Sequence, residues 1–89
     1  MPRPIGIPLR RQTDTLERAV GTVVARHRVR NRLSQAALAE KLGHSSSYIS
    51  QLERGLINPT LRSVIELAYG LGVEPGMLVR EIANRFGKQ

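Results

Sequence analysis

The sequence predicts an all-α fold, a compact bundle of five helices. Three observations carry this reading. Apolar residues recur at three- and four-residue intervals in five segments, the signature of a helix with one buried face. Short polar stretches with a capping Ser or Thr at one end or a Gly at the other separate several of these segments. The hydrophobic content of 40% is aliphatic, with aromatic residues at only 3%, which suits interlocking helices better than a sheet. A chain of 89 residues supports one small core and no substrate cleft between two domains.

Met1 to Asp14 holds three prolines and three arginines without helical period and is expected to be a flexible basic arm, preceding a domain that spans 15–86. Two readings of the arm stand: an inert tail, or a segment whose Arg3, Arg10 and Arg11 reach nucleic-acid phosphate or a minor groove. Helix 1 is expected from Thr15 to about Arg30, with Leu16, Val20, Val23, Val24 and His27 as its apolar stripe and Asp14 or Thr13 as its cap. Gly21 weakens it by something under about 1 kcal/mol, so packing must hold it. Ser34 caps helix 2, which runs to Gly43, the natural left-handed residue after a helix. Ser45 caps helix 3, which ends at Gly55. Pro59 keeps Asn58 out of the helical region. Thr60 then caps helix 4, whose apolar stripe of Leu61, Val64, Ile65, Leu67, Ala68 and Leu71 closes at Gly72. Pro75 sits where a first-turn proline costs nothing, opening helix 5 toward about Arg85.

Charge narrows the partner. The net charge is +7, and through Arg32 eight arginines stand against Asp14 and Glu17, whereas beyond it six Lys and Arg face five Glu. A one-sided basic surface attracts polyanions, either nucleic acid or anionic lipid. No apolar run reaches the roughly 18 residues of a membrane span, and the N-terminus lacks the apolar stretch of a secretory signal. The absence of cysteine excludes disulfides and thiolate metal sites and fits a cytoplasmic protein. His27 and His44 lie on different elements with no acidic cluster beside them, so neither a metal site nor a Ser-His-Asp arrangement can be placed. No enzyme, no metal and no cofactor are expected.

From Gln35 the spacing is helix, three-residue turn, helix. Ala39 is small where the second helix crosses the first, Gly43 supplies positive φ in the turn, and Ile49 fills the wedge between them. Leu38 and Leu52 face the common core, while Ser46, Ser47, Ser50, Gln51 and Arg54 leave the other face of helix 3 polar. These residues resemble the phage repressor and Cro type of helix-turn-helix, the XRE family, whose domain is lambda-repressor-like. The likeness runs from about Val20 to Ile82 and rests on Val20-Gly21, Val24, Leu33-Ser34-Gln35, Leu38-Ala39 and Gly43. It continues through the run Ser47 to Gly55, Asn58-Pro59-Thr60, Ala68 to Val73 and Pro75.

The resemblance implies a sequence-specific transcriptional regulator with helix 3 in the major groove of double-stranded DNA. It assigns base reading to Ser46, Ser47, Ser50 and Gln51, with Gln51 the main specificity residue because a glutamine amide pairs bidentately with adenine. It assigns phosphate contacts to Gln35, Ser45, Arg54, Asn58 and Thr60. Arg28 and Glu53 match a structural ion pair joining helix 1 to helix 3, which leaves Arg26, Arg30 and Arg32 as phosphate neighbours or as solvated charge. Two departures stand out: His27 replaces leucine and is expected to pack in the core, and Arg32 replaces a glycine, with Asn31 expected to take the left-handed turn. Leu78, Ile82 and Phe86 on helix 5 are expected as a homodimer contact that sets two recognition helices on a short palindrome. RNA polymerase or a toxin would be further partners. The alternative is an antitoxin or adaptor whose main partner is another protein.

Overall fold

The computed structural model describes residues 15–87; the expected arm, Met1 to Asp14, lies outside them. Among the described residues there are five helices and no strand: α1 (Leu16–Arg30), α2 (Gln35–Leu42), α3 (Ser46–Glu53), α4 (Leu61–Leu71) and α5 (Pro75–Gly87). α1 packs on α3 and α5, α2 packs on α3 and α4, and α4 packs on α5.

Four of the helices begin with the same device. Thr15, Ser34, Ser45 and Thr60 are extended, and each hydroxyl oxygen accepts the amide N–H three residues on, at 2.9–3.1 Å. The cap of α1 is therefore Thr15, one residue later than Asp14 and two later than Thr13. α5 starts with an acid instead: the Glu74 carboxylate accepts the amides of Gly76 and Met77 at 2.9 and 3.0 Å, which also suits the positive end of the helix dipole. Gly43 and Gly72 close α2 and α4 at φ 71° and 70°.

The end of α1 departs from expectation. Asn31 keeps a negative φ of −89°, and Arg32 itself takes φ 58°. Asn31 is occupied otherwise, its side-chain amide donating to the carbonyls of His27 and Leu71 at 3.0 and 2.9 Å and tying the end of α1 to the end of α4. Holding a non-glycine residue left-handed costs about 1–2 kcal/mol, so Arg32 is a strained joint between α1 and α2.

The largest fully buried side chains are Leu38, Ile49, Leu52, Leu67, Leu78 and Val24. Leu78 is 0% and Ile82 6% exposed within the chain's own core, which corrects the dimer contact expected of them: a side chain enclosed by its own bundle has no surface to offer a second copy. Phe86 is half-buried against the same core. Met77 and Val79 are the large apolar side chains that α5 exposes, and Leu61, expected in the stripe of α4, is exposed as well. His27 is buried and also polar-bonded, its Nε2 lying 2.6 Å from Oε1 of Glu81, so that it links α1 to α5.

Gly21 sets the distance between α1 and α3. A Cβ at this position would fall 2.5 Å from the Leu52 carbonyl oxygen and 2.6 Å from that of Glu53, so the two backbones touch where any side chain would intrude. Gly21→Ala is expected to lower the unfolding free energy by about 1–3 kcal/mol through overpacking, although alanine favours a helix by up to about 1 kcal/mol. Urea denaturation checks it, and a stability gain would contradict the close approach. Arg32→Gly should raise stability by up to about 1 kcal/mol, the strain relief less the extra freedom of an unfolded glycine. A melting temperature that falls instead would mean that Arg32 makes contacts worth more than its strain.

Candidate nucleic-acid interface

α2 and α3 are short, of eight residues each, and neither would persist alone in water. Their angle is set by packing. Ala39, 2% exposed, allows the close crossing and Ile49, 0% exposed, fills the wedge. At the turn the rings of His44 and Tyr48 stack with centroids 4.3 Å apart, a contact that covers the outside of the reversal.

With its apolar side turned inward, α3 presents Ser46, Ser47 and Gln51 to solvent, while Ser50 is half-buried at the edge of the same face. Gln51 Nε2 donates to Ser47 Oγ at 3.3 Å. The second amide hydrogen and the carbonyl oxygen of Gln51 remain, the donor and acceptor that a bidentate contact with adenine requires. Ser47 thus steadies its neighbour as well as facing solvent.

Around this face lie the residues assigned to phosphate. Arg54, the C-cap of α3, and Asn58 in the following turn are exposed. The Ser45 oxygen accepts the Tyr48 amide, leaving its O–H to donate outward. Thr60 is spent locally: it accepts the Ser63 amide at 3.1 Å and donates to Ser63 Oγ at 3.0 Å. Gln35 turns inward, donating from Nε2 to Glu53 Oε1 at 2.9 Å, so one of its two amide hydrogens is engaged within the protein.

Glu53 is the centre of this framework. Its side chain is 7% exposed and that of Arg28 16%, and the two meet through paired bonds, Nε to Oε2 at 2.6 Å and Nη2 to Oε1 at 3.0 Å. Arg28 Nη1 also donates to the Leu33 carbonyl at 2.8 Å. The hydrogen bonds it donates to Glu53 hold the Arg28 guanidinium above its ordinary pKa, against the opposing effect of burial, so Arg28 stays charged. Committed to this pair, Arg28 is withdrawn from the basic surface. Arg26, Arg30 and Arg32 are exposed and make no side-chain hydrogen bond or ion pair among the described residues.

One residue near this surface escaped the sequence reading. Arg18, in the first turn of α1, lies against Gly55 just beyond α3, where a Cβ would fall 2.7 Å from Arg18 Cγ. Three-residue spacing puts Arg18 and Gly21 on one face of α1, but the partner of that face is a tertiary fact.

With this geometry, residues 24–78 match the helix-turn-helix family HTH_3. The chain belongs to this family. An HTH-type transcriptional regulator of Sinorhizobium fredii, y4dJ, is 41% identical over 64 residues, which cover 72% of this chain and 83% of that one. The immunity repressor protein of Bacillus phage phi105 is 36% identical over 62 residues, 70% of this chain and 43% of the repressor. Among solved structures, the restriction-modification controller protein C.Esp1396I, a tetramer in complex with its natural 35 base-pair operator, is 31% identical with a TM-score of 0.67, covering 79% of this chain and 97% of the controller. The HTH_3 chain described here is a transcriptional regulator, and its likeness to regulators favours that reading over an adaptor.

Breaking the ion pair tests the framework. Glu53→Leu strands a guanidinium that is mostly buried and is expected to cost about 3–5 kcal/mol. Adding Arg28→Met removes the stranded charge and should restore part of that loss. Equal urea midpoints for the single and double variants would show that charge pairing is not what the pair contributes.

Proposed function

We propose that this regulator binds a short DNA palindrome as a homodimer in the cytoplasm, each copy laying α3 in a major groove. The observation that carries the reading is the exposed Ser46, Ser47 and Gln51 face of α3, held by a framework in which Arg28 and Gln35 both bond to Glu53. Gln51 reads adenine, Ser46 and Ser47 contact neighbouring base edges, and Ser50 at the rim shares the task. Arg54, Asn58, Ser45 and the remaining amide hydrogen of Gln35 hold the backbone on either side. Thr60 belongs to this flank through the cap it makes more than through its hydroxyl.

Affinity and sequence preference have different sources. α3 itself carries Glu53 as its one charged residue, whereas cations without partners among the described residues line α1 and the α3–α4 junction. These supply attraction to any duplex by counterion release, and the serines and Gln51 supply discrimination. The exposed Met77 and Val79 of α5 are the apolar flank we assign to the partner copy. The operator-bound assembly of C.Esp1396I supports an oligomer on DNA. Two copies would read half-sites about 34 Å apart.

Selection from a random duplex library tests the whole reading, since a palindromic product reports both preference and pairing. On the selected duplex, Gln51→Ala is expected to lose about 1–3 kcal/mol of binding free energy, with little change on random DNA. Equal losses on both duplexes would remove Gln51 from the readers.

A further inference from the structure

We propose that Arg18 is a phosphate contact, extending the backbone grip from α3 across onto the first turn of α1. The proposal rests on the placement of α3 in the groove set out above and adds an element that the helix-turn-helix itself does not contain.

The register of α1 on α3 brings Arg18 there. Gly21 presses α1 against the Leu52 and Glu53 carbonyls at the last turn of α3. One turn earlier on the same face, Arg18 reaches the residue after the C-cap, Gly55. That glycine has φ 77°, and a Cβ on it would sit 2.7 Å from Cγ and 3.1 Å from Cα of Arg18. The backbone of Gly55 therefore seats the aliphatic stem of Arg18. Arg54, the C-cap, is the chain neighbour of that seat.

Charge gives the seat its meaning. Arg18 and Arg54 are both exposed, and neither side chain has a hydrogen bond or ion pair among the described residues. Glu17, next to Arg18 in sequence, forms no ion pair with it. Arg18, whose stem lies against Gly55, and Arg54, which precedes that glycine in the chain, both carry charge that is rewarded when a polyanion replaces their counterions. The stem of Arg18, laid on a glycine, spares part of the ordering cost that a free arginine meets on binding. The contact is made to backbone and carries no sequence information.

The test is salt titration of binding to the selected duplex and to a random one, for the full chain and for Arg18→Ala, Arg18→Lys and Arg54→Ala, with melting temperatures alongside. Arg18→Ala should make the slope of log K against log salt shallower by about 0.9 on both duplexes, a loss of about threefold in the affinity ratio between low and moderate salt. Its melting temperature should be unchanged, and Arg18→Lys should keep the slope. A lowered melting temperature with an unchanged slope would overturn the proposal, reducing Arg18 to a cover for Gly55. If Arg54→Ala flattens the slope and Arg18→Ala does not, Arg18 is excluded while the placement of α3 stands. A wild-type chain that binds neither duplex would overturn both.

Discussion

The carboxylate of Glu53 is the point on which the interface depends. It stands at the last residue of α3, almost out of solvent, and accepts hydrogen bonds from Arg28 of α1 and Gln35 of α2. A buried carboxylate without partners would be far too costly to keep, so the three helices are held in the one arrangement that satisfies it. A purely apolar junction of this size could slide, because dispersion and burial are non-directional. Paired bonds between a planar guanidinium and a carboxylate resist sliding, because they lose geometry with small rotations. Gly21 supplies the complementary condition, removing the side chain that would keep α1 from coming close enough to α3 for Arg28 and Glu53 to meet.

This framework explains why short helices suffice for recognition. An exposed Gln51–Ser47 hydrogen bond at 3.3 Å is weak, worth a few tenths of a kcal/mol on a helix surface. It orients the amide without fixing where α3 lies. The placement comes from the buried side of the helix, where Ile49 and Leu52 pack and Glu53 is bonded. The face of serines and one glutamine proposed to read bases adds little bulk and no charge, so its complementarity to base edges would depend on position more than on contact strength.

Most of the fold was legible in the sequence because the devices that build it are local. Hydroxyl caps at Ser34, Ser45 and Thr60 and left-handed glycines at Gly43 and Gly72 act over three or four residues, within reach of a pattern read along the chain. What was illegible is tertiary. Gly21 reads as a weak helix position, and its reason lies in backbone carbonyls some thirty residues away. Leu78 and Ile82 look like surplus apolar surface on a short helix until α1 and α4 are seen to enclose it. Asn31 seems the obvious left-handed residue, but its amide is needed by the Leu71 carbonyl forty residues on, and the strain passes to Arg32. The interface was half legible: the family pattern picks out the face of α3, while the inward turn of Gln35 and the local engagement of Thr60 depend on partners that no spacing reveals.

The basic character of the first third of the chain accordingly divides by partner and by place. Arg28 contributes nothing to the surface field that a solvated arginine would, because its charge is spent on Glu53. Arg26 and Arg30 on α1 and Arg32 just beyond it are exposed and add to the general attraction for a polyanion. At ordinary ionic strength a charge more than about 8–10 Å from a phosphate is largely screened. Net charge counted along the sequence also overstates the cations that face solvent, since it includes Arg28. Arg18 of α1 lies against Gly55 and Arg54 precedes that glycine in the chain, so the close approach of α1 to α3 brings both backbones to the exit of α3. The same close approach that holds α3 in place thus also carries Arg18 to its end.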